Sequence, residues 1–206
     1  MEEGQPKSAG LLEVSSLTLS RGGRVLLSSV GFTLASGETL LVRGPNGAGK
    51  SSLLLALAGV LRPEAGRIAW QLGEQPQIHY FGHAPALKPH LTLAETLNFW
   101  RAVNGPGDMR PAAALEQVGL GGLDAIEAGH LSAGQGKRLA LARLLVSPRK
   151  VWLLDEPTAS LDTEGHALVA QLIDAHTASR GIAIVATHDE LALAGTSRLL
   201  VLGAGR

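Results

Sequence analysis

The chain contains no cysteine. Disulfide frameworks and thiolate metal sites are therefore excluded, and a reducing compartment is permitted. It also lacks an excess of either charge, since 18 Lys and Arg balance 18 Asp and Glu. Proteins that bind nucleic acid usually carry a basic surplus, so this balance weighs against that class. Long hydrophobic runs are missing as well. The longest, LLLALAGVL from Leu53 to Leu61, is far short of the roughly 20 residues that span a bilayer and reads as a buried helix. If the protein works at a membrane, another chain supplies the membrane part. The opening MEEGQPKSAG has no apolar targeting core and reads as a disordered tail over residues 1–10. There is no internal repeat and no low-complexity tract. What is present is a chain of 206 residues, 45% apolar and 17% charged, which suits one globular domain with a sizeable core.

The pattern along the chain begins as strands. LLEVSSLTLS and RVLLSSVGFTLASG are strand-like between Gly and Ser punctuation, and ETLLVR is a short buried strand ending at Arg43. A glycine-rich turn and the LLLALAGVL helix follow, stopped by RPEAG, and then two further strands, RIAWQL and QIHYFG. From Ala84 the character changes. Thr92 and Glu95 form a capping box that opens one helix, RPAAALEQVGL reads as a second, and LSAGQGKRLALARLL as a third with Ser132 as its cap and a basic face. Residues 89–148 thus read as an all-helical insert. Afterwards VWLLDEP, TEGHALVAQLIDAHTAS, GIAIVATHD and RLLVL alternate as strand, helix, strand and strand. Strands alternating with helices predict an α/β fold with a mostly parallel sheet.

Two clusters carry chemistry. Gly44, Pro45, Asn46, Gly47, Ala48, Gly49, Lys50 and Ser51 fit the pattern G-x-x-x-x-G-K-[ST] between a predicted strand and a predicted helix. Glycines let backbone N–H groups close around phosphate oxygens, and the helix start adds positive potential. Lys50 would reach the β and γ phosphates, and the Ser51 hydroxyl would ligate Mg²⁺. The bland alternative is a glycine turn with a solvated lysine. The second cluster is the strand VWLLDEP, ending in Asp155 and Glu156. Strand alternation predicts that these two side chains point to opposite faces. Asp155 would hold the metal, and Glu156 would orient or deprotonate an attacking water. Two solvated surface acids are the alternative, much weakened by the phosphate loop upstream.

Five stretches in this order, GPNGAGKSS, LSAGQ, LLDEP, SLD at Ser160 to Asp162 and THD around His188, make the chain resemble the ATPase domains of ABC transporters from about Leu11 to the C-terminus. The resemblance implies a P-loop NTPase: one domain, with a mostly parallel core, antiparallel strands at the N-terminus and the helical insert. It implies ATP and Mg²⁺ as cofactors, with Ser52 beside the phosphate loop. It also implies a homodimer in which Ser132, Gly134 and Gln135 of one copy cap the ATP held by the other. Asp162 matches the loop that communicates across that dimer, and His188 the switch histidine at the γ-phosphate and the general base. The remaining histidines, His79, His90, His130, His166 and His176, show no ligand spacing and read as surface or packing residues.

The chain departs from the family pattern at three positions. Ala133 stands where the first glycine of LSGGQ is usual. Arg21 stands near the place of the aromatic that stacks on adenine, and a guanidinium can also stack on a base. His83 stands in the segment that normally places a glutamine at Mg²⁺, and an imidazole is a poorer Mg²⁺ partner than an amide oxygen. GHAPALK, LSAGQGKR and the short C-terminal end resemble the ATP-binding subunits of cytochrome c maturation haem exporters. That implies integral membrane transporter subunits (CcmB/CcmC-like) as partners and a peripheral place on the cytoplasmic face of the bacterial inner membrane. The other readings are the ATPase of another small-molecule exporter, or a soluble ABC-type ATPase acting on nucleic acid. The tandem cores, arms and basic linkers usual for the last are not in the sequence.

Overall fold

The structure is a computed structural model that describes residues 11–72 and 77–203; the tail read at 1–10 lies outside the described residues. Among the described residues eight strands form two sheets. The first is antiparallel, of order β2-β1-β4, from β1 (Leu12–Arg21), β2 (Arg24–Leu34) and β4 (Ala65–Trp70). The second is of order β5-β6-β7-β3-β8 and is parallel at every pairing. It is built from β3 (Thr39–Arg43), β5 (Ile78–Phe81), β6 (Val151–Asp155), β7 (Ile182–Ala186) and β8 (Ser197–Val201). The strand RIAWQL therefore joins the N-terminal antiparallel sheet, pairing Leu12 with Trp70.

Among the described residues five α-helices and one 3-10 turn (Ala128–His130) complete the fold: α1 (Lys50–Leu57), α2 (Leu93–Asn104), α3 (Pro111–Gln117), α4 (Ala133–Val146) and α5 (Thr163–Ala178). Their starts follow from local chemistry. Thr92 and Ser132 each make a full capping box, Pro111 sits at the first position of α3, and the Asp162 side chain caps α5 by accepting from Gly165 N–H at 2.8 Å. Helices α2, α3 and α4 all lie between β5 and β6 in the chain, over the stretch expected to be helical.

The parallel sheet separates two apolar clusters, and strand alternation assigns residues to each. Trp152, Leu154, Ala183 and Val185 face a cluster with α2, α3, α4 and α5. Val151, Leu153, Ile182 and Ile184 face the other, with α1 and the antiparallel sheet. Both faces are covered, so β6 and β7 are apolar nearly throughout and every residue in them is buried. No helix among the described residues is long and apolar enough to cross a membrane.

Candidate functional site

In an open parallel sheet, ligands bind beyond the carboxyl ends of the strands. Strand order puts four such ends side by side: β5 running into His83, β6 into Asp155 and Glu156, β7 into His188, and β3 into Gly44. A cavity of about 480 Å³ opens there, lined by residues 46–52 with Arg21, Leu26, His83, Asp155 and Glu156. A slightly larger groove of about 520 Å³ runs between β2 and β8, but no charged side chain lines it. It lacks the lysine, the carboxylates and the glycine-led helix start that the first cavity brings together, so the chemistry is assigned to the first cavity.

The loop from Gly44 to Gly49 requires glycine for geometric reasons. Gly49 precedes α1 at φ 97°, and a Cβ on Gly44 would lie 2.6 Å from the Leu202 carbonyl oxygen. No side chain caps α1. The N–H groups of its first turn are therefore available to an anion. Lys50 Nζ donates to the Gly44 carbonyl at 2.8 Å and to the Pro45 carbonyl at 3.4 Å. It also lies 2.7 Å from His188 Nε2. That same nitrogen is 3.0 Å from Asn46 Oδ1 and 3.6 Å from Glu156 Oε1. A neutral imidazole that accepts from Lys50 at Nε2 has no proton there for Asn46, so the two contacts are alternatives set by the tautomer. His188 thus bridges the phosphate-type loop and the acidic strand end, with its side chain 47% exposed.

The two acids do not diverge as strand alternation predicts. Asp155 is the last residue of β6, and Glu156 leaves the strand in the left-handed region at φ 48°. The period of two ends at Asp155, and both residues line the same cavity. Asp155 is buried, with Tyr80 close by. Burial, reinforced by that carboxylate, pushes the Tyr80 hydroxyl up to about 12. Ser51 and Asp155 offer hard oxygen donors suited to Mg²⁺. Among the described residues no three His, Asp or Glu converge on a metal, so a cation held here would draw its other oxygens from phosphate or water. His83 lines the cavity as an exposed residue, and exposed Arg21 reaches it from the tip of the β1–β2 hairpin. That tip is a two-residue turn, Gly22 and Gly23, at φ 59° and 76°, a geometry glycine favours.

Ser132, Gly134 and Gln135 are not among the residues lining this cavity. They form the start of α4. Ser132 Oγ accepts from Gln135 N–H at 3.2 Å, and Gln135 Oε1 accepts from Ser132 N–H at 3.0 Å. Gly134 packs closely, since a Cβ there would meet the Ser160 carbonyl at 3.1 Å. Asp162, besides capping α5, pairs with Arg138 of α4 at 3.1 Å.

The expected basic face of α4 is largely internal. Lys137 and Arg143 are buried, at 3% and 8% exposure. Arg143 donates to the Tyr80 carbonyl at 2.8 Å, with its guanidinium 4.5 Å from the Trp100 ring centre. Lys137 Nζ donates to the His83 carbonyl at 2.8 Å and the Glu156 carbonyl at 3.1 Å. Burial lowers the Lys137 pKa, while Asp155 and Glu156 act to raise it. Sequence reading missed Lys137, and its signal was a lysine among the apolar positions of a capped helix. Among the other histidines, His79 is buried against the Ser147 carbonyl and His176 stacks on Trp152 at 4.0 Å. His166 lies 3.8 Å from Asp189, and His90 and His130 are exposed.

Fold and site together define an ABC-type ATP-binding subunit. The family model described as ABC transporter matches residues 27–159. A putative ABC transporter ATP-binding protein from Pyrococcus furiosus superposes with a TM-score of 0.81 at 24% identity, covering 92% of this chain and 96% of that one, a likeness of fold. The cbiO1 protein of Clostridium perfringens, part of the ABC transporter complex cbiONQ, gives 0.76 at 28% identity over 94% and 84%. Among curated relatives, the cytochrome c biogenesis ATP-binding export protein CcmA of Ruegeria pomeroyi is 50% identical over 88% of this chain and 87% of its own length. That of Chelativorans sp. is 46% identical over 94% and 98%. The chain belongs to this family of ABC ATPases, the CcmA cytochrome c biogenesis ATP-binding export proteins.

Proposed function

We propose that the chain is the ATP-hydrolysing subunit of the haem exporter, or haem-chaperone release complex, of cytochrome c maturation. It sits on the cytoplasmic face of the bacterial inner membrane against CcmB/CcmC-like integral membrane subunits. The observation that carries this reading is kinship with CcmA proteins over nearly the whole chain. The helical insert at 89–148 would dock the membrane chain, and the exposed Phe99 and Val103 on α2 support that role.

ATP lies with its phosphates on residues 44–52 and its base towards Arg21. The uncapped start of α1 and the Lys50 ammonium neutralise the β and γ phosphates. Ser51 and Asp155 would hold Mg²⁺, which supplies charge neutralisation at the phosphates when bound. Glu156 orients and deprotonates the attacking water, and His188, in reach of both Lys50 and Glu156, follows the γ-phosphate. A second copy completes the site: its Ser132, Gly134 and Gln135 bring another helix start to the triphosphate, and Asp162 lies at the seam.

The test is co-purification followed by a functional assay. The chain should co-purify with a haem-handling membrane subunit, and a Glu156→Gln strain should stop covalent haem attachment to c-type cytochromes. Co-purification with an unrelated permease, or normal cytochrome c maturation in that strain, contradicts the reading.

A further inference from the structure

We propose that Lys137 is a positioning residue for hydrolysis. Its ammonium, shared between the main-chain carbonyls of Glu156 and His83, fixes the turn that aims the Glu156 carboxylate and ties that aim to the start of α4. This rests on the roles proposed above for Glu156 and Ser132.

A lysine that is 3% exposed is rare unless its donors are satisfied. Here the ammonium has two carbonyl acceptors, at 2.8 and 3.1 Å, and lies 4.8 Å from the centre of the Phe81 ring. Both hydrogen-bond acceptors are backbone groups, so what Lys137 holds is chain direction. Glu156 needs holding, because a non-glycine residue at φ 48° stores backbone strain. Its N–H is fixed by the Ala186 carbonyl at 2.8 Å. Its carbonyl is fixed by Lys137, with a longer contact of 3.3 Å from Ala159 N–H. Both peptide groups flanking the Glu156 side chain are thereby pinned, one by β7 and one by α4.

The other acceptor belongs to His83, which follows the neighbouring strand β5 and lines the same cavity. One cation thus joins α4 to the ends of β5 and β6. Lys137 lies five residues after Ser132, or about 7.5 Å along the helix. A displacement of α4, such as a second copy's nucleotide would impose at Ser132, moves the ammonium with it. The two carbonyls then follow, and the Glu156 carboxylate turns. Occupancy of the partner's site is read by this chain's own general base through a single side chain.

The test compares Lys137→Met, Lys137→Gln and Lys137→Arg with Glu156→Gln and the unaltered chain, each purified with the membrane subunits it binds. ATP affinity, thermal stability, steady-state phosphate release and ATP-dependent dimerisation are measured on all five. Lys137→Met is expected to lower kcat by roughly 10- to 100-fold, the scale of loss for a misplaced catalytic group. ATP affinity should stay within about twofold, because the donors to phosphate are untouched. The variant should accumulate the ATP-bound dimer, as is expected of Glu156→Gln. Lys137→Arg keeps the charge and the donors and should recover most of the rate. If Lys137→Met fails to fold, Lys137→Gln retains one donor group and carries the same expectation, with a several-fold loss of kcat at unchanged affinity. Unchanged kcat in a folded Met or Gln variant, with Glu156→Gln inactive, overturns the role of Lys137 and leaves the Glu156 reading standing. Normal turnover by Glu156→Gln overturns the reading of Glu156, and this proposal with it.

Discussion

Two helix starts carry the chemistry proposed for this protein, and they are built in opposite ways. The start of α1 has glycine before it, no side-chain cap and a cavity in front. The start of α4 satisfies itself, with Ser132 and Gln135 exchanging hydrogen bonds, and does not line that cavity. An uncapped start has orphan N–H groups and so a standing affinity for anions. A capped start gains about 1 kcal/mol from its own residues and holds its shape whether or not a ligand is present. The first belongs to a group that binds on its own. The second suits a group that adds its dipole and the Ser132 hydroxyl only when a second copy brings a nucleotide to it.

The largest expected effect breaks the α1 side. Lys50→Ala removes the cation between the Gly44 carbonyl and His188, and ATP binding measured by calorimetry should be lost. Retained tight binding would remove Lys50 from the phosphate site. Next, Glu156→Gln keeps the shape of the site but removes the carboxylate proposed as the base. Phosphate release should fall by at least about 100-fold at unchanged ATP affinity, and a normal rate would exclude Glu156 as the base.

The far end of α4 gives a smaller effect with a defined pH window. The Ser147 carbonyl accepts from the buried His79, and burial holds His79 and His176 down at about 4. In the unfolded chain both take up protons near 6.5. Their contribution is full above about pH 6.5 and is lost as the pH falls towards 4, because the unfolded state then binds protons that the folded state refuses. The loss amounts to about 3 kcal/mol for each histidine at the acid limit. Thermal melting from pH 7 to pH 4 should show the decline, and His79→Gln should reduce it by about half, His176 supplying the rest; an unchanged slope would mean that His79 is not held neutral. The smallest effect is Ser132→Ala. It should cost about 1 kcal/mol of stability and leave ATP binding by the single chain unaltered, whereas a loss of that binding would place Ser132 in its own chain's site.

Much of the architecture was legible because local rules agree with the fold. The capping boxes at Thr92 and Ser132, the apolar runs of β6 and β7 and the glycine loop before α1 each follow from short-range chemistry. Strand alternation failed at Glu156, where the left-handed turn ends the strand one residue earlier than the carboxylate pair suggests. The basic face of α4 was misleading for another reason. Lys137 and Arg143 are buried because main-chain carbonyls of β5, of the loop after it and of the turn after β6 accept from them, and no local pattern announces a partner so distant in the chain. The membership of β4 in the antiparallel sheet is likewise a matter of pairing with β1, which its own six residues do not encode.

The claim that the two helix starts meet across two copies is tested most directly by the mass of the ATP-bound species. Glu156→Gln and the double variant Glu156→Gln/Ser132→Arg are incubated with ATP and Mg²⁺ and sized by light scattering. The account predicts a dimer for the first. For the second it predicts a monomer with unchanged ATP affinity, because an arginine at Ser132 obstructs the approach of the partner's triphosphate and leaves the chain's own cavity intact. A dimer that survives Ser132→Arg would contradict it.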